Sequence, residues 1–313
     1  MRVVRTVLGD VPSSDLGVCY SHEHLVIDGG VAKIINPEIS LQSVEDAVAE
    51  LGPCVVAGVA AVVDAMPADC GRNVEKLAEI SRRGGVHVVA TTGLHHARYY
   101  GERHWSELLD PSAMADLFVA EVEEGIDAHD LNGPVLRRTV HRAGLVKVAG
   151  STDGPSARDR RCFEAAALTV QRVGTALMTH CEGGTGGVEQ LQLLDDLGVR
   201  LERVILSHTD KVVDRGYHRE LLSTGAFLVY DQGIRSPEGT ARLVGWMVED
   251  GYDAQLLLGT DGARRSLWSA LGGAPGLAAL RTDLGKRLSD ELGDTVMDRI
   301  WRTNPAAALE LRP

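Results

Sequence analysis

Aromatic residues make up only 4% of this 313-residue chain. That leaves too few rings for a surface on which nucleotide bases stack. Lysine is also scarce. It occurs only at positions 33, 76, 147, 211 and 286, so the positive charge is nearly all arginine. Cysteine occurs at 19, 54, 70, 162 and 181, with no C-x-x-C pair. An odd, scattered set excludes a disulfide framework or zinc ribbon and reads as reduced thiols. No apolar run approaches the roughly 20 residues of a membrane span. The N-terminus lacks the apolar stretch of about 7–15 residues that marks a signal peptide. A cytoplasmic protein with no membrane contact is expected. Acidic residues outnumber basic ones 44 to 32, a formal charge of −12, which disfavours binding to nucleic-acid phosphates.

What is present is a globular composition, 44% hydrophobic and 24% charged. Length alone allows two or three domains, but a single α/β barrel runs to about 250 residues or more. Short segments rich in Val, Leu and Ile recur at Gly17–Leu25, Gly58–Met66, Val86–Gly93, Gly144–Gly150, Thr175–Cys181, Arg203–Asp210, Ala226–Asp231 and Gln255–Asp261. Between them lie helical patterns over Asn73–Arg83, Ala157–Val173, Val188–Leu197, Asp214–Ser223 and Pro237–Val248. Strands alternating with helices indicate βαβ units and a parallel sheet. Eight units predict an α/β fold of the (β/α)8 TIM-barrel type, in one domain spanning residues 1–313. No G-x-G-x-x-G follows the first strand, which argues against a dinucleotide-binding sheet. Val3–Leu8 and Asp15–Val18, around Pro12-Ser13-Ser14, read as a short N-terminal β-hairpin closing the bottom of the barrel. Residues 94–111 and 262–276 read as irregular loops at its top.

Chemistry gathers at the polar ends of the strands. In Ser21-His22-Glu23-His24 the histidines are two apart, and strand side chains alternate, so both point to one face. Alone, such a pair is more often a surface feature than a metal site. Here His180, His208 and Asp261 end three further strands, at the barrel face where active sites of this fold sit. Imidazole plus carboxylate suits zinc, and also manganese, cobalt or iron. Lys147 lies mid-strand in Leu145-Val146-Lys147-Val148-Ala149, where alternation turns it inward. An ammonium buried there is costly. It is explained by pairing with a carboxylate such as Asp261, by a Schiff-base role, or by carboxylation to an anionic ligand. Cys181 alternates away from His180 and reads as a core thiol.

These residues resemble the phosphotriesterase family of the amidohydrolase superfamily. The likeness runs from Thr6-Val7-Leu8-Gly9 through Ser21-His22-Glu23-His24, Ala143–Ala149, Thr179-His180, Arg203–Asp210 and Asp261 to Thr303-Asn304-Pro305. It implies a binuclear centre of two divalent transition-metal ions. His22, His24 and Asp261 would hold the more buried ion, and His180 and His208 the more exposed one. Carboxylated Lys147 and a hydroxide would bridge them, with Asp261 taking the proton released in attack. The implied function is opening of a lactone, or cleavage of a related carboxylic ester, with promiscuous phosphotriesterase activity. An amide or N-acyl hydrolase would use the same centre. A non-catalytic ligand-binding barrel would not need these ligands, and an aldolase-like barrel would leave the histidines unexplained. The resemblance also suggests a homodimer.

Specificity for a small-molecule substrate is expected in the loops. Tyr99 and Tyr100, in His95-His96-Ala97-Arg98-Tyr99-Tyr100, could orient a ring, or simply cover the barrel rim. Arg235, Arg264 and Arg265 follow the last two strands, where barrels favour phosphate sites, and are candidates to hold an anionic group. Asp231 is a candidate to orient substrate or shuttle protons, with a structural role as the alternative.

Overall fold

The structure is a computed structural model that describes residues 2–101 and 103–312. It opens with a hairpin of β1 (Val3–Thr6) and β2 (Gly9–Pro12), in which Thr6 faces Gly9. The sequence places the second arm at Asp15–Val18, and this is corrected. Gly9 takes φ 129°, and the Thr6 hydroxyl donates to its carbonyl at 2.7 Å. The chain therefore reverses at Val7-Leu8, earlier than Pro12. Ser13–Asp15 forms a 3-10 turn, and Val18 already belongs to the first barrel strand.

All eight predicted strands form: β3 (Val18–Glu23), β4 (Val59–Asp64), β5 (His87–Gly93), β6 (Leu145–Gly150), β7 (Ala176–Cys181), β8 (Val204–Ser207), β9 (Phe227–Tyr230) and β10 (Leu256–Leu258). They are parallel and adjacent in chain order. The barrel closes beyond β10, where the Thr260 and Asp261 amides donate to the His22 carbonyl at 3.2 and 3.0 Å.

Alternation sorts the strand side chains into two cores. Val63, Val89, Leu145, Met178, Ile205, Val229 and Leu257 fill the interior, and Val4, Leu16, Ala308 and Leu309 close its bottom. Val62, Val88, Val146, Leu177, Leu206 and Leu228 face the surrounding helices. With the floor filled by apolar groups, polar residues at the strand ends collect at the top.

After a single helical turn, α1 (Ala32–Ile35), the outer helices are α2 (Val44–Val56), α3 (Val74–Gly84), α4 (Pro111–Glu123), α5 (Ala157–Val173), α6 (Gly187–Asp196), α7 (Arg215–Ser223) and α8 (Pro237–Glu249). Their ends follow local chemistry. The α5 start is a reciprocal capping box of Ser156 and Asp159, and Gly174 ends the helix at φ 67°. Residues 94–111 and 262–276 carry short 3-10 turns among their described residues, as their composition suggests, with α4 beginning at Pro111. No helix among the described residues is long and apolar enough to cross a membrane.

Candidate metal centre

The mouth of the barrel opens into a cavity of about 260 Å³, lined by His22, His24, Lys147, His180, His208 and Asp261. The predicted cluster is thus brought together from β3, β6, β7 and the segments after β8 and β10. Gly93 makes room for it: at φ 95°, a Cβ there would lie 2.0 Å from the Lys147 carbonyl oxygen. His208 and Asp261 are non-glycine residues at φ 69° and 47°. Left-handed backbone of this kind costs about 1–3 kcal/mol and is characteristic of functional positions.

Lys147 is 1% exposed. Its Nζ lies 3.3 Å from His22 Nε2 and 3.3 Å from the Met178 sulfur, with no carboxylate in ion-pair range among the described residues. The expected alternative of pairing with Asp261 is therefore not what the structure holds. Burial pushes the Lys147 amine down to about 8. The His22 ring is pushed down to about 3 by burial and by the nearby Lys147.

Asp231 is fully buried and does not line the cavity. Its carboxylate accepts from Nδ1 of His22 at 2.9 Å, Nδ1 of His208 at 2.9 Å and the His208 amide at 3.0 Å. Burial would raise this carboxyl, but the His208 and His22 rings hold it well below the usual range. With these contacts Asp231 grips two histidines from behind and presents no face to the cavity. Tyr100 is also withdrawn, with its hydroxyl donating to the Ala68 carbonyl at 3.1 Å and accepting from the His95 amide at 2.7 Å. Arg265 turns to the Ser40 carbonyl at 3.2 Å and does not reach the cavity wall.

Tyr99, Arg235 and Arg264 do line the cavity. Arg235 Nη2 lies 3.1 Å from Asp261 Oδ2, and Arg264 has no ion pair among the described residues. Asp261 also meets His24, Oδ1 to Nε2 at 3.4 Å. Burial would raise the Asp261 carboxyl, yet His208 and His24 hold it below the usual range.

His95, Glu182 and Lys211 also line the cavity; of these only His95, as part of its loop, is picked out as a candidate by the sequence, and His96 lies behind the wall. Glu182 Oε2 lies 2.9 Å from His180 Nε2 and 3.2 Å from His96 Nε2. The hydrogen bond from His180 holds its carboxyl well below the usual range. The adjacency of Glu182 to His180 was a readable signal, whereas the approach of the loop after β5 was not. Cys181 is fully buried against the outer core, and burial pushes its thiol up to about 12, as expected for an inert core cysteine.

The residues fit metal ions. The donor atoms of His22, His208 and Asp261 lie within 4.8 Å of one another, as do those of His96, His180 and Glu182. His24 Nδ1 is buried without a hydrogen-bond partner.

A parallel barrel with imidazoles and a carboxylate gathered at its C-terminal mouth offers a donor set suited to metal ions. Residues 2–309 match the profile of the Phosphotriesterase family, and the chain belongs to that family. It is 34% identical over 237 residues to the phospho-furanose lactonase of Mycoplasmopsis agalactiae, covering 74% of this chain and 66% of that protein. The match thus spans just under two thirds of that relative's length. An amidohydrolase from Mycoplasma synoviae superposes with a TM-score of 0.95 at 26% identity, over 99% of this chain and 92% of that one. A lactonase from Listeria monocytogenes superposes with a TM-score of 0.91 at 25% identity, over 99% and 100%.

Proposed function

We propose that residues 1–313 form a binuclear metal-dependent lactonase that opens a sugar lactone carrying an anionic group, preferably phosphate. The observation that carries this reading is Lys147, buried without a carboxylate partner among the imidazoles of the mouth. A neutral amine in that position can add carbon dioxide, forming an N–C bond and releasing a proton, to become an anionic ligand. His22, His24, Asp261 and the modified Lys147 would hold one ion. His180, His208 and the same lysine would hold the other. Bound zinc, or manganese, cobalt or iron in its place, supplies an activated water and polarises the acyl oxygen.

The chain's own residues do the rest. Asp261 receives the proton released as the acyl carbon is attacked and returns it to the departing alkoxide. Arg235 fixes Asp261 by its side chain at 3.1 Å and its carbonyl at 2.9 Å. Tyr99 packs along one wall. Arg264 and Lys211, both lining the cavity without an ion pair among the described residues, are cations available to a substrate phosphate. The name of the Mycoplasmopsis relative supports the same class. Triesters are a promiscuous substrate on this account, because both transition states place negative charge on one oxygen at the same position. A hydrolysis screen over furanose lactones with and without phosphate, N-acyl amino acids and aryl phosphotriesters tests the reading. Acid release is expected fastest from the phosphorylated lactones. Faster turnover of N-acyl amino acids would overturn it.

A further inference from the structure

Glu182 follows β7 directly, and its carboxylate faces two separate parts of the mouth. On one side it accepts from Nε2 of His180 at 2.9 Å. On the other it accepts from both terminal nitrogens of Arg98, at 3.0 and 3.3 Å. His96 Nε2 approaches the same oxygen to 3.2 Å without hydrogen-bond alignment. Arg98 and His96 belong to the loop after β5, so one carboxylate straps that loop to a histidine of the candidate centre.

A carboxylate paired with arginine is ionised and can only accept hydrogen bonds. His180 must therefore carry its proton on Nε2, which leaves Nδ1 as its free lone pair. Asp231 imposes the opposite arrangement on His22 and His208, whose Nδ1 atoms donate to it and whose Nε2 atoms stay free. The ring of His180 stands 4.3 Å from that of His208, centroid to centroid. Two neighbouring imidazoles are thus held in opposite tautomers by two different carboxylates.

We propose that Glu182 is a positioning residue that fixes the ring of His180 and ties the affinity of the outer metal ion to the order of the loop at residues 95–100. The proposal rests on the binuclear reading above. Carboxylates behind metal-binding histidines typically govern affinity by about 10–100-fold. A carboxylate that also anchors a substrate loop passes that effect to the loop.

Zinc titration and hydrogen exchange on the full chain test this, comparing the unsubstituted protein with Glu182→Ala and Glu182→Gln. Glu182→Ala should weaken the second zinc equivalent by about 10–100-fold, leave the first unchanged and speed amide exchange across residues 95–100. Glu182→Gln keeps one acceptor and should fall between. Zinc affinity that is unchanged, or weakened equally for both ions, overturns the proposal. If the unsubstituted protein binds fewer than two zinc ions, the binuclear reading fails. The strap is then decided by exchange alone, and unchanged protection of residues 95–100 in Glu182→Ala overturns it.

Discussion

The Asp231 carboxylate lies 2.9 Å from Nδ1 of His22, although its backbone follows β9, two strands away around the barrel and 209 positions along the chain. The same carboxylate reaches His208, so one buried acid sets the ring orientation of two candidate ligands. Glu23 does related work. Its carboxylate accepts from the Thr260 amide at 2.7 Å and the Gly262 amide at 3.4 Å, the two residues that flank the left-handed Asp261.

Asp231→Asn should lower zinc affinity by about 10–100-fold, because an amide can accept from only one ring without turning its NH2 towards the other. Competition against a chelator of known affinity measures it. Lactone KM at saturating zinc should change less than metal affinity does.

Lys147→Ala should lower lactone turnover by more than about 100-fold and reduce bound zinc, since the shared anionic ligand is lost. Short carboxylic acids added to this variant should restore part of both. Trapping of a substrate on Lys147 by borohydride would favour a Schiff-base nucleophile instead.

Arg264→Ala should raise KM for phosphorylated lactones about tenfold or more, the worth of a hydrogen bond to a charged group being about 1.5–3 kcal/mol. KM for the unphosphorylated lactone should hardly move. Arg265→Ala should leave both unchanged, since that side chain turns to Ser40. Steady-state kinetics on the paired substrates separates the two arginines.

Stability is most exposed at a site remote from the mouth. Arg72 is buried, with bonds to both oxygens of the buried Glu121 at 2.8 Å and to the Thr91 carbonyl at 2.6 Å. Arg72→Ala would strand the Glu121 carboxylate in the interior. The expected loss is about 3–5 kcal/mol, read from denaturant unfolding.

Much of this arrangement was legible in the sequence because it depends on local periodicity. Alternation alone put His22 beside His24 and turned Lys147 inward, and short β-branched runs marked every barrel strand. What escaped depends on contacts between distant segments. Nothing near Asp231 announces that its carboxylate will meet two histidines from other strands, and the same holds for the meeting of Glu182 with Arg98. Local signals also misled. For α4 the start signal was present and passed over: Asp110 caps the Ala113 amide at 2.8 Å and Pro111 occupies the first turn. The hairpin turn was placed at Pro12 because proline is the louder mark, although Gly9 carries the reversal.

The most direct test of the account is the metal content of the active protein. Elemental analysis of protein purified with zinc and bicarbonate, read alongside lactone hydrolysis, should give about two transition-metal ions per chain, with activity lost on chelation and regained on adding zinc. Full lactone hydrolysis by folded protein holding no transition metal would contradict it.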